Sequence, residues 1–175
     1  MRALIVLLFA LCMAGCTGTD VRQYAAEQPA LELSDYLNGE LEAWGMFQNR
    51  SGEVVKRFHV ALTGTWQGDV GTLDERFTYS DGSTERRVWT LRRQADGSWR
   101  GTAGDVVGEA IGEVSGNALH WRYQLLLKVD GEQYVVDFDD WMFLMDQRVM
   151  LNRARMSKWG IDLGQVTLSF YKPVK

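Results

Sequence analysis

Residues 117–145 alternate apolar and polar side chains on both sides of one turn signal, and this pattern limits the fold more than any other in the chain. The first half places large apolar residues at every second position, which is typical of a half-buried strand: Leu119, Trp121, Tyr123, Leu125 and Leu127. Asp130-Gly131 can adopt the positive φ angles of a tight turn, and Tyr134, Val136 and Phe138 alternate after it. Because a lone hairpin is only marginally stable, its apolar face requires further strands.

Similar strand-like runs lie on both sides of this hairpin. They cover residues 40–47, 54–66, 72–79, 85–93, 148–155 and 165–171, with turn-forming residues between them and no helical period. The pattern predicts an all-β fold of about eight to ten antiparallel strands in a single meander. With no helix to cover an open sheet, closure into a β-barrel is the simplest way to abolish the sheet edges, and a two-sheet β-sandwich is the alternative.

A glycine-rich stretch precedes the hairpin, with Gly101, Gly104, Gly108, Gly112 and Gly116. The spacing of the last three matches that of packed membrane helices, but the acidic residues between them exclude a membrane span. We interpret these glycines as bends and bulges of barrel strands.

The first sixteen residues resemble a bacterial lipoprotein signal. Arg2 precedes an apolar run over residues 3–13, and small residues then lead to Cys16. The run is too short to span a membrane. We predict cleavage before Cys16 and lipidation of that cysteine, with cleavage of an ordinary secretory peptide as the alternative. Because Thr17 and not Asp follows, the usual sorting rule for lipoproteins predicts the periplasmic face of the outer membrane.

The chain is expected to divide into a signal peptide over 1–15, a lipidated cysteine with its tether over 16–37, and one β-barrel domain over 38–175. Leu31, Leu33 and Leu37 predict that the end of the tether docks on the barrel as a helical turn or an edge strand. Loss of Arg2 changes the formal charge from −4 to −5, which gives no reason to bind nucleic acid. We expect a monomer without a disulfide, since neither Cys12 nor Cys16 remains free.

Catalytic and metal-binding motifs are missing from the sequence. His59 and His120 lie far apart and have no partner residues at zinc-ligand spacing. The acidic run Asp137-Phe138-Asp139-Asp140 cannot bring all three carboxylates together on a strand, because alternation sends Asp140 to the opposite face. We predict no metal and no cofactor, and enzymatic activity stays an open question that leans towards none.

Strand alternation sends four charged residues to the same face as large apolar neighbours: Glu75, Arg87, Asp140 and Arg153. Because breaking a buried ion pair costs about 3–5 kcal/mol, these groups must pair inside or lie at a solvated mouth. One interpretation is an ion-pair network that fixes strand register. The other is a pocket for an amphiphile, with Arg87 or Arg153 at the head group. Its apolar candidates are Trp66, Trp89, Trp121 and Phe138.

Short motifs follow one another along nearly the whole mature chain. They include Ala43-Trp44-Gly45, Gly64-Thr65-Trp66-Gln67-Gly68, Arg87-Val88-Trp89, Gly101-Thr102-Ala103-Gly104-Asp105, Asp139-Asp140-Trp141-Met142 and Lys158-Trp159-Gly160. Together they resemble the bacterial lipoprotein family catalogued as domain of unknown function 3833. The resemblance implies a lipoprotein with a lipocalin-like barrel and no established catalytic residues.

Three functions stay open at this level. The first is binding of a lipid, such as a fatty acid, or of another hydrophobic ligand, because a barrel of about eight strands can hold one small ligand. The second is a structural or interaction protein of the envelope with a filled barrel, in which Arg86, Arg92 and Arg93 could dock a partner. The third is a lipid-modifying enzyme, which only the inward carboxylates support.

Overall fold

Ten antiparallel strands follow one another around a closed β-barrel in the computed structural model of the protein, which describes residues 18–129 and 131–173. They are β1 (Gly39–Asn49), β2 (Val54–Gln67), β3 (Val70–Tyr79), β4 (Thr84–Arg93), β5 (Trp99–Thr102), β6 (Ala110–Ser115), β7 (Ala118–Val129), β8 (Glu132–Leu144), β9 (Val149–Lys158) and β10 (Ile161–Tyr171). Each strand pairs with the next, and β1 closes the ring on β10. The predicted all-β meander and its closure into a barrel are confirmed, so the sandwich alternative is wrong.

The N-terminal segment covers one end of the barrel, here called the closed end. It contains a 3-10 helix (Val21–Tyr24) and α1 (Leu33–Tyr36), neither of which has the length or apolar character to cross a bilayer. Leu31, Leu33 and Leu37 are buried in the common core, as predicted for docking through a helical turn. Within the segment predicted as a tether, Val21 is buried as well, whereas most residues from 22 to 30 are exposed.

The opposite end, here called the far end, carries the β1–β2, β3–β4, β5–β6, β7–β8 and β9–β10 connections. The longest ladder joins β7 to β8 from Ala118–Phe143 to Val129–Glu132, and Gly131 lies directly before β8 with φ +86°. Leu119, Trp121 and Leu125 are buried inside the barrel, as the alternation predicted. The predicted signal peptide over 1–15 and the lipidation site Cys16 lie outside the described residues.

Strand β9 faces the opposite way from the prediction. Val149, Leu151 and Arg153 were expected inside, but Leu151 and Arg153 are exposed, and Met150, Asn152 and Ala154 are buried instead. Both faces of β9 contain apolar residues, so its alternation alone is ambiguous. The face that contains Asn152 turns inward, because the amide of this buried residue donates to Asp140 and to the Trp141 carbonyl.

Two of the glycines make room for an aromatic ring. Gly112 pairs directly with Trp121, and a Cβ at Gly112 would lie 2.1 Å from Cε3 of that ring. A Cβ at Gly101 would lie 2.5 Å from Cζ2 of the same ring. The Trp121 ring thus accounts for Gly101 and Gly112, whereas Gly108 and Gly116 have the positive φ angles of turns, +71° and +55°.

Candidate functional site

Glu75 and Arg87 face each other inside the barrel. Alternation on β3 and β4 turns both side chains inward, and the strand register pairs the two residues directly. Arg87 Nη1 lies 3.9 Å from Glu75 Oε2. Both residues were predicted inward, and the structure brings them together.

A third charged residue, Asp105, completes this group and was missed in the sequence. Arg87 Nε donates to both carboxylate oxygens of Asp105 at 2.9 and 3.0 Å, and Arg87 Nη2 donates to Oδ2 at 2.7 Å. Asp105 lies on the β5–β6 connection, residues 103–109, among the glycines. No alternation could reveal it, because the residue belongs to a loop.

The β5–β6 connection fills a gap in the barrel wall. Strand β5 pairs with β4 only from Thr90 to Arg93, so residues 84–89 of β4 have no ladder on that side in the described part of the chain. The connection instead follows β7, where the Val107 amide donates to the Gln124 carbonyl at 2.9 Å and the Leu126 amide to the Asp105 carbonyl at 2.8 Å. The Arg87–Asp105 ion pair thus joins the two sides of the gap.

A second polar group continues the first across the interior. The Tyr123 hydroxyl donates to Asp140 Oδ2 at 3.3 Å, and the Asn152 amide donates to Oδ1 of the same carboxylate. Asp140 was predicted inward and is buried. Asn152 was missed because the face of β9 was assigned wrongly.

Burial changes the protonation of the two inner acids. Burial raises the pKa of Glu75 to about 7, and the Arg87 charge and a Trp89 hydrogen bond only partly oppose it. Burial likewise raises the pKa of Asp140 to about 7 against the hydrogen bonds from Asn152 and Tyr123. For Arg87, burial lowers the pKa, but the hydrogen bonds to Asp105 and the charges of Glu75 and Asp105 outweigh it, so its pKa is raised. The interior therefore combines one cation, Arg87, with two buried acids whose pKa values are raised towards neutrality.

Three of the four predicted apolar residues surround these charges. The ring of Trp89 meets Trp121 at 6.0 Å and Tyr123 at 5.6 Å between centroids, and Tyr123 stacks on Phe138 at 5.1 Å. Trp66 does not join them: it packs edge-on against Trp99 on the closed-end side, and its buried Nε1 has no hydrogen-bond partner within the described residues. Trp66 is therefore not part of the candidate site.

Arg153 is not part of the candidate site either. Its side chain points out of the barrel, where Nε donates to Gln165 Oε1 at 2.8 Å. The interior therefore contains one of the two predicted head-group cations, Arg87.

Other features of the described residues lie apart from this cluster. A cleft of about 540 Å³ runs between the N-terminal segment and the β4–β5 turn, with Leu31, Arg93, Trp99 and Arg100 in its walls, and it contains no residue of the polar cluster. No group of three or more histidine, cysteine or acidic residues in the described ranges could hold a metal ion.

The two raised pKa values predict an unusual pH dependence of stability. Each acid has a higher pKa in the fold, about 7, than its ordinary value of 4.5 for Glu75 or 3.8 for Asp140. The stability that each contributes is fully present below the ordinary value and is lost as the pH rises through 7, by up to about 1.4 kcal/mol per pH unit for each group.

We therefore expect the melting temperature to fall between pH 5 and pH 8 and then level off. Thermal unfolding followed by circular dichroism measures it, and Asp140→Asn should flatten the profile. A melting temperature that rises across this range would contradict the assignment.

Comparisons with solved structures give similarity of fold at low identity. The S-type phycobiliprotein lyase CPES from Guillardia theta aligns with a TM-score of 0.59 and 8% identity over 90% of this chain and 100% of the lyase. A protein of unknown function of the DUF3598 family from Nostoc punctiforme aligns with a TM-score of 0.49 and 18% identity over 90% of this chain and 53% of its own. No curated protein matches the chain.

A family model gives the one assignment by sequence. The model matches residues 10–172, which include all ten strands and the N-terminal segment that covers the closed end. The chain therefore belongs to the DUF3833 family of proteins of unknown function.

Proposed function

We propose that the barrel binds an anionic amphiphile, such as a fatty acid or a phospholipid, with the head group on Arg87. The observation that supports the proposal is the position of this guanidinium. It lies at the stretch of β4 that, among the described residues, forms no ladder with β5. A planar guanidinium that presents paired donors suits a carboxylate or a phosphate.

Asp105 occupies the place that such a head group would take. Its carboxylate accepts from two nitrogens of Arg87 in the forked geometry of a bound carboxylate. The connection that carries it is hydrogen-bonded to β7 and reaches β4 through this ion pair. An entering anion would therefore displace Asp105 and separate the connection from β4.

The aromatic rings beside the charges would receive the apolar tail. Trp89 and Trp121 lie edge to face inside the wall, and Phe138 stacks on Tyr123. Ligand sites of this kind combine apolar walls with a few convergent polar groups. The fold similarity to a phycobiliprotein lyase supports ligand handling by a barrel of this shape, without indicating which ligand.

The two inner acids make binding depend on pH. An anionic head group beside ionised Glu75 and Asp140 would be repelled, whereas the protonated forms of these acids would accept it. Because both pKa values are about 7, affinity should increase as the pH falls below neutrality.

A palmitate titration tests the proposal, with intrinsic tryptophan fluorescence of the delipidated protein as the signal. Arg87→Lys keeps the charge but loses the fork, so its affinity should fall about five- to thirtyfold, the effect of about 1–2 kcal/mol. Arg153→Lys is the matched control outside the barrel and should bind as the wild type does. Equal affinities for the two variants would reject Arg87 as the head-group site.

We also propose that the protein is a lipoprotein, anchored through Cys16 on the periplasmic face of the outer membrane. The apolar run before Cys16 and the residue after it support this location. Cys16→Ser should release the protein from the membrane fraction, because stable anchoring needs more than one acyl chain. Fractionation of cells that express either form measures this, and wild-type protein in the soluble periplasmic fraction would contradict the anchor.

A filled barrel is the alternative function, in which the protein serves as an interaction module of the envelope. The observation that favours it is the burial of Trp89, Trp121 and Phe138, none of which is more than 7% exposed. In that case Arg87→Lys would lower the melting temperature, and lipids would produce no fluorescence response in the wild type.

A further inference from the structure

Large apolar side chains project from two neighbouring hairpins at the far end. They belong to β7–β8 and β9–β10 and are between 39% and 84% exposed: Tyr134, Val135, Trp159, Ile161 and Leu163. These five residues are called the apolar tip. The fold gains little from Trp159 and Ile161, because more than half of their surface stays in water, at 84% and 58%.

Trp159 has a backbone conformation that does not suit it. Lys158 pairs with Ile161, so Trp159 and Gly160 form a two-residue turn with φ angles of +52° and +79°. Turns of this type favour asparagine or glycine at the first position, and a bulky residue there is strained. Trp159 is also the most exposed apolar residue described, at 84%. A strained and solvated tryptophan indicates a role outside folding.

Lys158 adds a cation to the tip. Its ammonium lies 4.7 Å from the Tyr134 ring centroid and 4.8 Å from that of Trp159, and it forms no ion pair with any residue that the structure describes. Tryptophan, tyrosine and lysine together are typical of the interface between lipid head groups and acyl chains. An ammonium next to two such rings is complementary to a lipid phosphate.

We propose that the apolar tip docks on the surface of a bilayer that contains anionic phospholipid. Trp159 and Ile161 enter the boundary between head groups and acyl chains, while Lys158 contacts the phosphates. The inference stands independently of amphiphile binding at Arg87, since no residue of the tip belongs to that cluster.

The N-terminal segment packs against the closed-end part of β8, the strand whose opposite end contributes to the tip. Tyr24 packs edge-on against Trp141 and Phe143, at 6.0 and 5.1 Å between centroids. Both rings belong to β8, whose other end contributes Tyr134 and Val135 to the tip. Tyr24 and the apolar tip therefore lie towards opposite ends of β8.

Quenching of tryptophan by brominated lipids tests the docking in the full processed protein, reconstituted in phosphatidylcholine–phosphatidylglycerol vesicles. The wild type should be quenched, and Trp159→Asn should lose the larger part of that quenching. Trp44→Asn is the matched control, because Trp44 is 50% exposed on the wall of β1 and should leave the quenching unchanged. Lys158→Gln should weaken quenching more in the anionic vesicles than in vesicles of phosphatidylcholine alone.

Trp159→Asn is an informative variant, because asparagine adopts the backbone conformation of the Trp159–Gly160 turn more readily than tryptophan does. Trp159→Asn should melt at the wild-type temperature or above, so lost quenching cannot be ascribed to unfolding. Quenching that is equal in the wild type and Trp159→Asn would overturn the proposal. Self-association of the wild type that depends on Trp159, without quenching, would overturn it as well and would assign the tip to a second copy of the chain.

Discussion

Arg87→Met should lower the free energy of unfolding by about 3–5 kcal/mol at pH 8, the usual cost of removing one partner from a buried ion pair. The guanidinium is the cation that lies between Glu75 and Asp105, 3.9 Å from the first and 2.7 Å from the second. Without it, the buried Glu75 must either ionise unpaired or bind a proton. Denaturant unfolding followed by circular dichroism measures the loss.

The pH dependence of this loss separates a charge effect from a packing effect. At pH 5 Glu75 is protonated, because its pKa is about 7, so removal of Arg87 should cost less than at pH 8. Arg153→Met should change stability by less than about 0.5 kcal/mol at either pH, as surface substitutions usually do. A loss for Arg87→Met that is the same at both pH values would show that packing, and not charge, is what Arg87 contributes.

Gly112→Ala should lower the free energy of unfolding by about 1–3 kcal/mol, the usual cost of overpacking a core. The added methyl would lie 2.1 Å from a ring atom of Trp121, which is itself buried against Trp89 and Gly101. The ring also lies against Gly101 and packs edge to face on Trp89, which limits its freedom to shift. The same unfolding measurement applies.

Gly104→Ala provides the matched control for Gly112→Ala. Gly104 lies in the same glycine-rich stretch, but its Cβ would meet nothing within 4 Å, and its φ angle is not positive. Its stability should stay close to that of the wild type. Equal losses for the two alanine variants would mean that strand bending explains Gly112, as the spacing had indicated.

The features that the sequence predicted correctly follow from alternation within single strands. Leu119, Trp121 and Leu125 identify the inward face of β7 without reference to any other strand, and Glu75, Arg87 and Asp140 follow from their own neighbours in the same way. The meander also follows from local signals, because each strand pairs with the next. Such information is present in short segments.

The features that escaped prediction depend on contacts between distant segments. Asp105 reaches Arg87 because a loop follows β7 in space, and Asn152 faces inward because β8 places Asp140 beside it. Trp66 lies on the inward side of β2, but at the level of Trp99 and away from the charged cluster. A residue's height along the barrel depends on the register of all ten strands, which alternation does not contain.

Calorimetric titration of Asp105→Asn with palmitate tests the central claim most directly. If Asp105 occupies the head-group site on Arg87, the loss of its charge should make the guanidinium available to the ligand. The affinity for palmitate should then increase on the order of tenfold over the wild type, because the ligand no longer has to displace the internal ion pair. An affinity equal to or below that of the wild type would contradict the claim and would leave Arg87 and Asp105 as a structural pair that closes the barrel wall.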